Sequence, residues 1–305
     1  RQELTATGPM TVASLAEALS QRFGISVHIG GMRQAVGDGF PGQFRYLAED
    51  KVMWFQGSTT LATRQFQLAR LYGELAAQDV ITGVIEAAAL SSPTAIRLTR
   101  RALGSYLAGA IIFPYSRFLS DAEAAAYDID HLRQLYGASY EQVAHRLVSL
   151  RRKGEEGLPF GFLRSDPAGR LTKRFPLPGL LLPNSGHACP LWAIYGAFRT
   201  PDVTLRQVVR FSDGSRYLFI ARTVQRRAGG FQEAPVMSSV MLACDALHAD
   251  RTVYGRGLDL NDQSADVLVG PSCRLCTRAD CASRQEEALA PVGTRQELRA
   301  PLVSP

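Results

Sequence analysis

Apolar positions along the chain follow two periods, and the change from one to the other divides the sequence near its middle. In the first half Leu15, Leu19 and Phe23 recur at helical spacing with Gly24 as a stop. Glycine-rich turns then separate short strand-like pieces at residues 25–29 and 51–55. Residues 63–79 read as the next helix, with Phe66, Ala69, Gly73 and Ala76 on one face, and residues 101–112 as another that stops at Pro114. Helices over 121–136 and 140–152 complete this half, the last with Val143, Leu147 and Leu150 as its apolar stripe.

The period changes after Lys153-Gly-Glu-Glu-Gly157, a charged joint taken as the boundary between domains at 1–154 and 155–305. Beyond it, residues 203–211 and 216–224 alternate apolar and polar around Ser212-Asp213-Gly214-Ser215, which predicts a hairpin. Residues 235–244 read as a further strand and 245–254 as a short helix capped by Asp245. The tail after Arg284 is polar and reads as a loop or peripheral helix. The expected fold class is α+β, a helical half followed by a sheet-containing half.

Composition adds little until the cysteines are reached. At 305 residues, with 46% hydrophobic and 20% charged positions, the chain has the make-up of a folded protein of two ordinary domains. Apolar runs such as 107–114 are too short to span a bilayer, and Arg1-Gln-Glu-Leu lacks a secretory pattern, so a cytoplasmic protein without membrane contact is expected. The net charge of +6 leans toward anionic partners. That charge is concentrated between Arg151 and Arg174, where seven basic residues face three acids.

Three of the five cysteines stand in Cys273-Arg-Leu-Cys276-Thr-Arg-Ala-Asp-Cys281. A Cys-x2-Cys-x4-Cys run can wrap three thiolates around one metal centre, with a fourth ligand from elsewhere. Cys189 and Cys244 are the candidates, and Cys189 is followed by Pro190, as one ligand often is in ferredoxin-type sites. An iron–sulfur cluster, a structural zinc, and plain reduced thiols or disulfides all satisfy the spacing. His187 reads as a hydrogen-bonded loop residue and Trp192 as core. No Ser/His/Asp arrangement, P-loop or dinucleotide glycine motif occurs.

The segment Arg64-Gln-Phe-Gln-Leu-Ala-Arg70-Leu-Tyr-Gly-Glu74-Leu resembles the zinc-binding helix of the ImmA/IrrE group of peptidases. Their two histidines, four apart, correspond to Arg70 and Glu74, and the glutamate that activates water corresponds to Leu71. In Ala102-Leu103-Gly-Ser-Tyr-Leu-Ala-Gly-Ala-Ile-Ile-Phe-Pro114, the third ligand of that group corresponds to Leu103. With ligands and base all replaced, no catalytic residue is expected and the chain is read as no enzyme. Arg70 and Glu74 share a helix face and are read either as an ion-paired brace or, for Arg70, as a contact to an anionic ligand.

Further stretches carry a wider resemblance. They are Pro159-Phe-Gly-Phe-Leu-Arg164-Ser-Asp166, Gly169 with Lys173-Arg174, Cys189-Pro190-Leu-Trp192, Ile220-Ala-Arg222-Thr-Val, Cys244-Asp with His248 and Tyr254, and the Gly270-to-Cys281 run. Together with the degenerate peptidase-like half they resemble the short-chain fatty acyl-CoA-responsive transcriptional regulators, a family that includes regulators of propionate and glyoxylate-cycle genes in mycobacteria. The resemblance implies an effector-binding portion that takes coenzyme A or a short-chain acyl-CoA and carries a [4Fe–4S] cluster. Promoter DNA would be bound through an N-terminal helix-turn-helix domain that this chain does not include, in a homo-oligomer. A zinc- or cluster-dependent redox sensor without a CoA ligand is the alternative. The expected cluster ligands are Cys189, Cys273, Cys276 and Cys281, with Cys244 a buried bystander. A CoA ligand carries phosphates, which need several forked donors, and Arg164, Lys173 and Arg174 are the first choices, with Arg222 and Arg70 after them.

Overall fold

The computed structural model describes residues 10–31, 42–183, 186–226 and 235–289. Residues 1–9, on which the reading of the N-terminus rests, and the end of the polar tail from 290 onward lie outside them. The chain forms two compact units: Arg1–Pro159 with Val224–Met237 and Arg251–Val253, and Phe160–Thr223 with Ser238–Asp250 and Tyr254–Pro305.

The first unit is mainly helical. Helix α1 (Val12–Phe23) opens with a reciprocal capping box between Thr11 and Ser14 and closes at Gly24, whose φ of 69° is the left-handed conformation that glycine adopts without strain. A small sheet follows, with β1 (Ser26–Ile29) parallel and β2 (Phe44–Leu47) antiparallel to the central β3 (Val52–Phe55). Helix α2 (Leu61–Ala76), capped by Thr60, buries Leu68, Ala69, Leu71 and Tyr72. Ala77 alone separates it from α3 (Gln78–Ala87), which has only two buried positions, Ile81 and Ile85. Helix α4 (Pro93–Ile112) packs close against α2: a Cβ on Gly73 would sit 2.9 Å from Leu107 Cβ.

The helix expected over 121–136 is two helices, α5 (Tyr115–Ala124) and α6 (Ile129–Tyr136). Ala126 and Tyr127 between them take φ values of 46° and 60°. Two interactions offset this strain. Asp128 accepts hydrogen bonds from the amides of Asp130 and His131, capping α6, while the ring of Tyr127 is fully buried and its hydroxyl accepts the Leu158 amide at 3.0 Å. Burial pushes the Tyr127 phenol above its ordinary range. Helix α7 (Tyr140–Val148) ends before the expected 152, because Arg151–Arg152 (β4) pairs with Glu155–Glu156 (β5) across Lys153-Gly154. The charged joint is thus itself a tight hairpin.

The second unit is built on a six-stranded sheet in the order β11 (Val267–Leu268), β8 (Leu205–Arg210), β9 (Arg216–Arg226), β10 (Val236–Asp245), β6 (Gly161–Ser165) and β7 (Leu171–Phe175). The hairpin of β8 and β9 and the strand β10 follow the expected alternation. β6 pairs with both β10 and β7. Trp192, Phe219, Ala221, Met241 and Ala243 form the heart of one buried cluster on one face of this sheet. The short strand β11 is fastened beside β8 through Asp266. Arg216 grips the buried Asp266 carboxylate with both Nε and Nη2, each at 2.8 Å, and its Nη1 donates to Leu260 O at 2.8 Å. Among the described residues no helix is long and apolar enough to cross a membrane.

Candidate functional site

From the Asp266 clamp the chain passes through β11 to Val269, whose amide donates to Arg210 O, and then to Gly270. Here it meets the segment around Cys189. The Cys189 amide donates to Pro271 O at 3.0 Å, and Trp192 Nε1 donates to Gly270 O at 2.9 Å. The turn at 273–276 closes through bonds from Leu275 N to Ser272 O and from Cys276 N to Cys273 O. The result is a partly open cavity with about 260 Å³ of empty space, counting its open mouth. Cys189, Cys273, Cys276 and Cys281 all line it, with Gly270, Arg278 and Arg284. Cys244 does not. It lies on β10, wholly buried, where desolvation first and Asp245 second push its thiol up to about 12.

All five cysteines are unpaired, and Cys281 is the least buried. The cavity thiols sit among main-chain donors. Gly270 and Leu191 offer backbone N–H groups to Cys189, and Gln285 N donates to Cys273 Sγ at 3.3 Å. Burial is the main reason the Cys189 thiol stands above its ordinary range; the two N–H groups oppose that, and the neighbouring Cys273 and Cys276 add to it. This donor set fits a soft metal centre, since thiolates with N–H bonds to sulfur are what iron–sulfur clusters use. Among the described residues, however, no three His, Cys, Asp or Glu side chains are grouped to hold a metal ion. The four thiols share a cavity without converging on one point.

Among the described residues the peptidase-like helices group no metal-ligating side chains. Arg70 Nε donates to Glu74 Oε1 at 2.7 Å, one turn on, with both side chains about a quarter exposed (24% and 28%). Leu71 is buried and Leu103 half-buried, so the base and third-ligand positions are apolar. The Glu74 carboxylate rests on Gly104 of α4, where a Cβ would fall 2.1 Å from Oε1.

The candidate ligand-binding cations divide by sheet face. Alternate residues of a strand point to opposite sides. Leu163, Tyr217, Phe219, Ala221 and Met241 belong to the cluster containing Trp192, so Phe162, Arg164, Ile220, Arg222 and Val240 face the other way. Lys173 stands directly across from Arg164, and its Nζ lies 5.5 Å from the Phe162 ring and 5.6 Å from the Phe175 ring. Arg164 Nε donates to Thr172 Oγ1 at 3.0 Å. Arg174 is across from Leu163, on the opposite face, and its guanidinium donates to Pro183 O. Arg164, Lys173 and Arg222 therefore share a face that Arg174 does not, and Arg70 belongs to the first unit. The arginines at the cysteine cavity, Arg278 and Arg284, were given no role by spacing alone; arginines among the cysteines at 274 and 278, and just after them at 284, were the available signal.

A degenerate zinc-peptidase-like unit joined to a cysteine-lined sheet domain defines a class of bacterial regulator. Residues 20–148 match the IrrE N-terminal-like domain, and residues 149–300 match the family described as short-chain fatty acyl coenzyme A regulator, C-terminal. The chain belongs to that regulator family. Among its relatives is a propionyl-CoA carboxylase regulator of Cereibacter sphaeroides, 39% identical over 222 residues, covering 73% of this chain and 48% of the relative. The HTH-type transcriptional regulator PrpR of Mycobacterium tuberculosis is 34% identical over 280 residues, covering 91% and 56%. RamB of the same organism, also an HTH-type transcriptional regulator, is 33% identical over 290 residues, covering 94% and 61%. A solved structure titled Mycobacterium tuberculosis transcriptional regulator superposes with a TM-score of 0.86 at 33% identity, covering 94% of this chain and 86% of that one. The relatives are regulators, not enzymes, and the chain spans about half the length of the curated relatives it matches.

Proposed function

We propose that this chain is the effector-sensing portion of a cytoplasmic transcriptional regulator of propionate and acetate metabolism. It binds a short-chain acyl-CoA and carries a [4Fe–4S] cluster on Cys189, Cys273, Cys276 and Cys281. Promoter DNA is bound through a helix-turn-helix domain outside this chain, and the regulator acts as a homo-oligomer. The family description and the names of the relatives support the effector class. The observation that carries the ligand site is the cross-strand pair of Arg164 and Lys173, on the same sheet face as Arg222. Cations of this kind hold phosphates.

A cluster rather than a single zinc is favoured by the Cys-x2-Cys-x4-Cys spacing and by Pro190 after Cys189, as one ligand often is in ferredoxin-type sites. When bound, the cluster supplies a one-electron redox centre. The chain's own part is to present four thiols, shield three of them from solvent and point backbone N–H groups at Cys189 and Cys273. Anaerobically purified protein should be brown, with broad visible absorbance and about four irons per chain, the stoichiometry of one such cluster. Calorimetry should show saturable binding of propionyl-CoA. A colourless zinc protein removes the cluster, and absence of heat with propionyl-CoA, acetyl-CoA and free CoA removes the ligand.

A further inference from the structure

Arg278 and Arg284 line the same cavity as the four thiols, and among the described residues no Asp or Glu lines it. Their donors go to main-chain carbonyls. Arg284 Nη1 reaches Cys273 O at 3.0 Å and Glu286 O at 3.4 Å, while Nη2 reaches Cys276 O at 3.4 Å and also Arg278 O. Arg278 Nη1 donates to Leu268 O, and its Nη2 lies 3.5 Å from Asp280 O. Among the described residues neither guanidinium forms an ion pair. Carbonyl dipoles satisfy hydrogen-bond donors but do not cancel a full charge, so two positive charges stand at a partly buried cavity whose described lining holds no opposite charge.

The Arg284 contacts also have a mechanical consequence. They tie together the carbonyls of Cys273, Cys276 and Arg278, which span most of the loop bearing three of the thiols, and continue on the far side to Glu286. A planar fork can hold several carbonyls at once, which a lysine ammonium on its flexible stem does far less well.

We infer that Arg284 and Arg278 are positioning and charge-balancing residues of the thiolate centre: Arg284 clasps the ligand loop, and both guanidiniums favour the reduced state of the metal cluster. This rests on the reading that the cavity holds a [4Fe–4S] cluster. Four thiolates leave such a cluster with net negative charge, and taking up one electron makes it more negative. A nearby fixed cation therefore stabilises the reduced form more than the oxidised form, and burial weakens the screening that would hide the effect.

The test is an anaerobic dithionite titration of the cluster-loaded chain, in which dithionite supplies the electron, for wild type, Arg278→Gln, Arg284→Gln and Arg284→Lys. Loss of each charge should shift the reduction equilibrium by about tenfold against the reduced form, a fall of about 59 mV for a one-electron couple. Arg284→Lys should keep the wild-type potential yet lose iron to a chelator several-fold faster. In the metal-free reduced protein, Arg284→Gln should speed amide exchange across 273–281 while Arg278→Gln leaves it near wild type. If Arg284→Gln cannot be loaded, Arg278→Gln and the exchange measurement decide. Unchanged potentials in a brown, loaded Arg278→Gln, or unchanged exchange in Arg284→Gln, overturn the inference alone. A wild-type chain that binds no cluster overturns the cluster reading and this inference with it.

Discussion

Gly270 has no room for a side chain because of Cys276: a Cβ built on it would lie 2.6 Å from Cys276 Sγ and 2.7 Å from its Cβ. Gly270 is fixed in turn, since its carbonyl accepts the buried Trp192 indole N–H and its amide faces Cys189. One backbone position thus brings the 189–192 segment against the Cys273–Cys276 turn. The short Cys276 side chain cannot swing far enough to yield, so Gly270→Ala should cost about 1–3 kcal/mol, the usual price of overpacking. Chemical denaturation would show a lower midpoint, and the variant should retain less iron than wild type. An unchanged midpoint with full iron content would mean that the two segments separate easily.

Cys244 should behave as an inert apolar side chain. With its thiol pushed up to about 12 and no solvent exposure, it presents almost no thiolate at neutral pH. In reduced, metal-free protein an alkylating agent should modify Cys281, the most exposed thiol, first and Cys244 last, read by mass spectrometry of digested samples. Cys244→Ala should keep the visible absorbance of the cluster while Cys189→Ala loses it. The reverse pattern would move the fourth ligand to β10.

Gly104 offers a test of the retired peptidase scaffold. Alanine is favoured over glycine in a helix by about 1 kcal/mol, so Gly104→Ala would ordinarily stabilise α4. Here the new Cβ would fall 2.1 Å from Glu74 Oε1, forcing the carboxylate off Gly104 and away from Arg70. The exposed-type ion pair is itself worth under about 1 kcal/mol, so the clash should outweigh both small terms. Gly104→Ala should destabilise wild type yet be neutral or stabilising in a Glu74→Ala background, as measured by a denaturation double-mutant cycle. Zinc should also fail to bind stoichiometrically in a variant lacking all five cysteines, because Arg70 repels a dication and Leu71 and Leu103 supply no ligand. Tight zinc binding there would show a surviving metal site.

What the sequence made legible and what it hid follow from the range of the interactions involved. The hairpin around Ser212–Ser215 was visible because alternation and turn chemistry are local, and Asp213 serves the turn as its position suggests, accepting bonds from Ser215. The break at Ala126–Tyr127 was hidden within an alanine-rich helical pattern, because it depends on burying Tyr127 against the distant Leu158 amide. The extension of α4 back to Pro93 was signalled by Ser92 and Pro93, a cap and a first-turn proline, but its exposed Arg97, Leu98 and Arg100 blur the apolar stripe. In the cysteine region the nine-residue spacing was evident from Cys273 to Cys281. The placement of Cys189 there rests on long-range backbone bonds to Gly270 and Pro271, which spacing cannot convey. Likewise the basic stretch gave no hint that Lys173 and Arg174, adjacent in sequence, face opposite sides of a sheet.

That separation yields the sharpest prediction for the ligand. If the Arg164–Lys173–Arg222 face holds the phosphates of an acyl-CoA, Lys173→Met and Arg164→Met should each weaken propionyl-CoA binding by about 1.5–3 kcal/mol, or roughly ten- to a hundredfold. Methionine keeps an unbranched apolar stem over Phe162 and Phe175, so packing is largely preserved while the charge is lost. Arg174→Met should leave affinity within about twofold, since its side chain lies on the other face and is engaged by Pro183 O. A competing account holds that Lys173 matters only through its cation–π contacts, worth about 0.5–1 kcal/mol where exposed. Under that account Lys173→Met would lower stability with little effect on affinity, so both must be measured, by denaturation and by calorimetry at fixed ionic strength. Equal loss of affinity in all three variants would point to nonspecific charge attraction. Unchanged affinity in Lys173→Met and Arg164→Met would remove this face from the binding site.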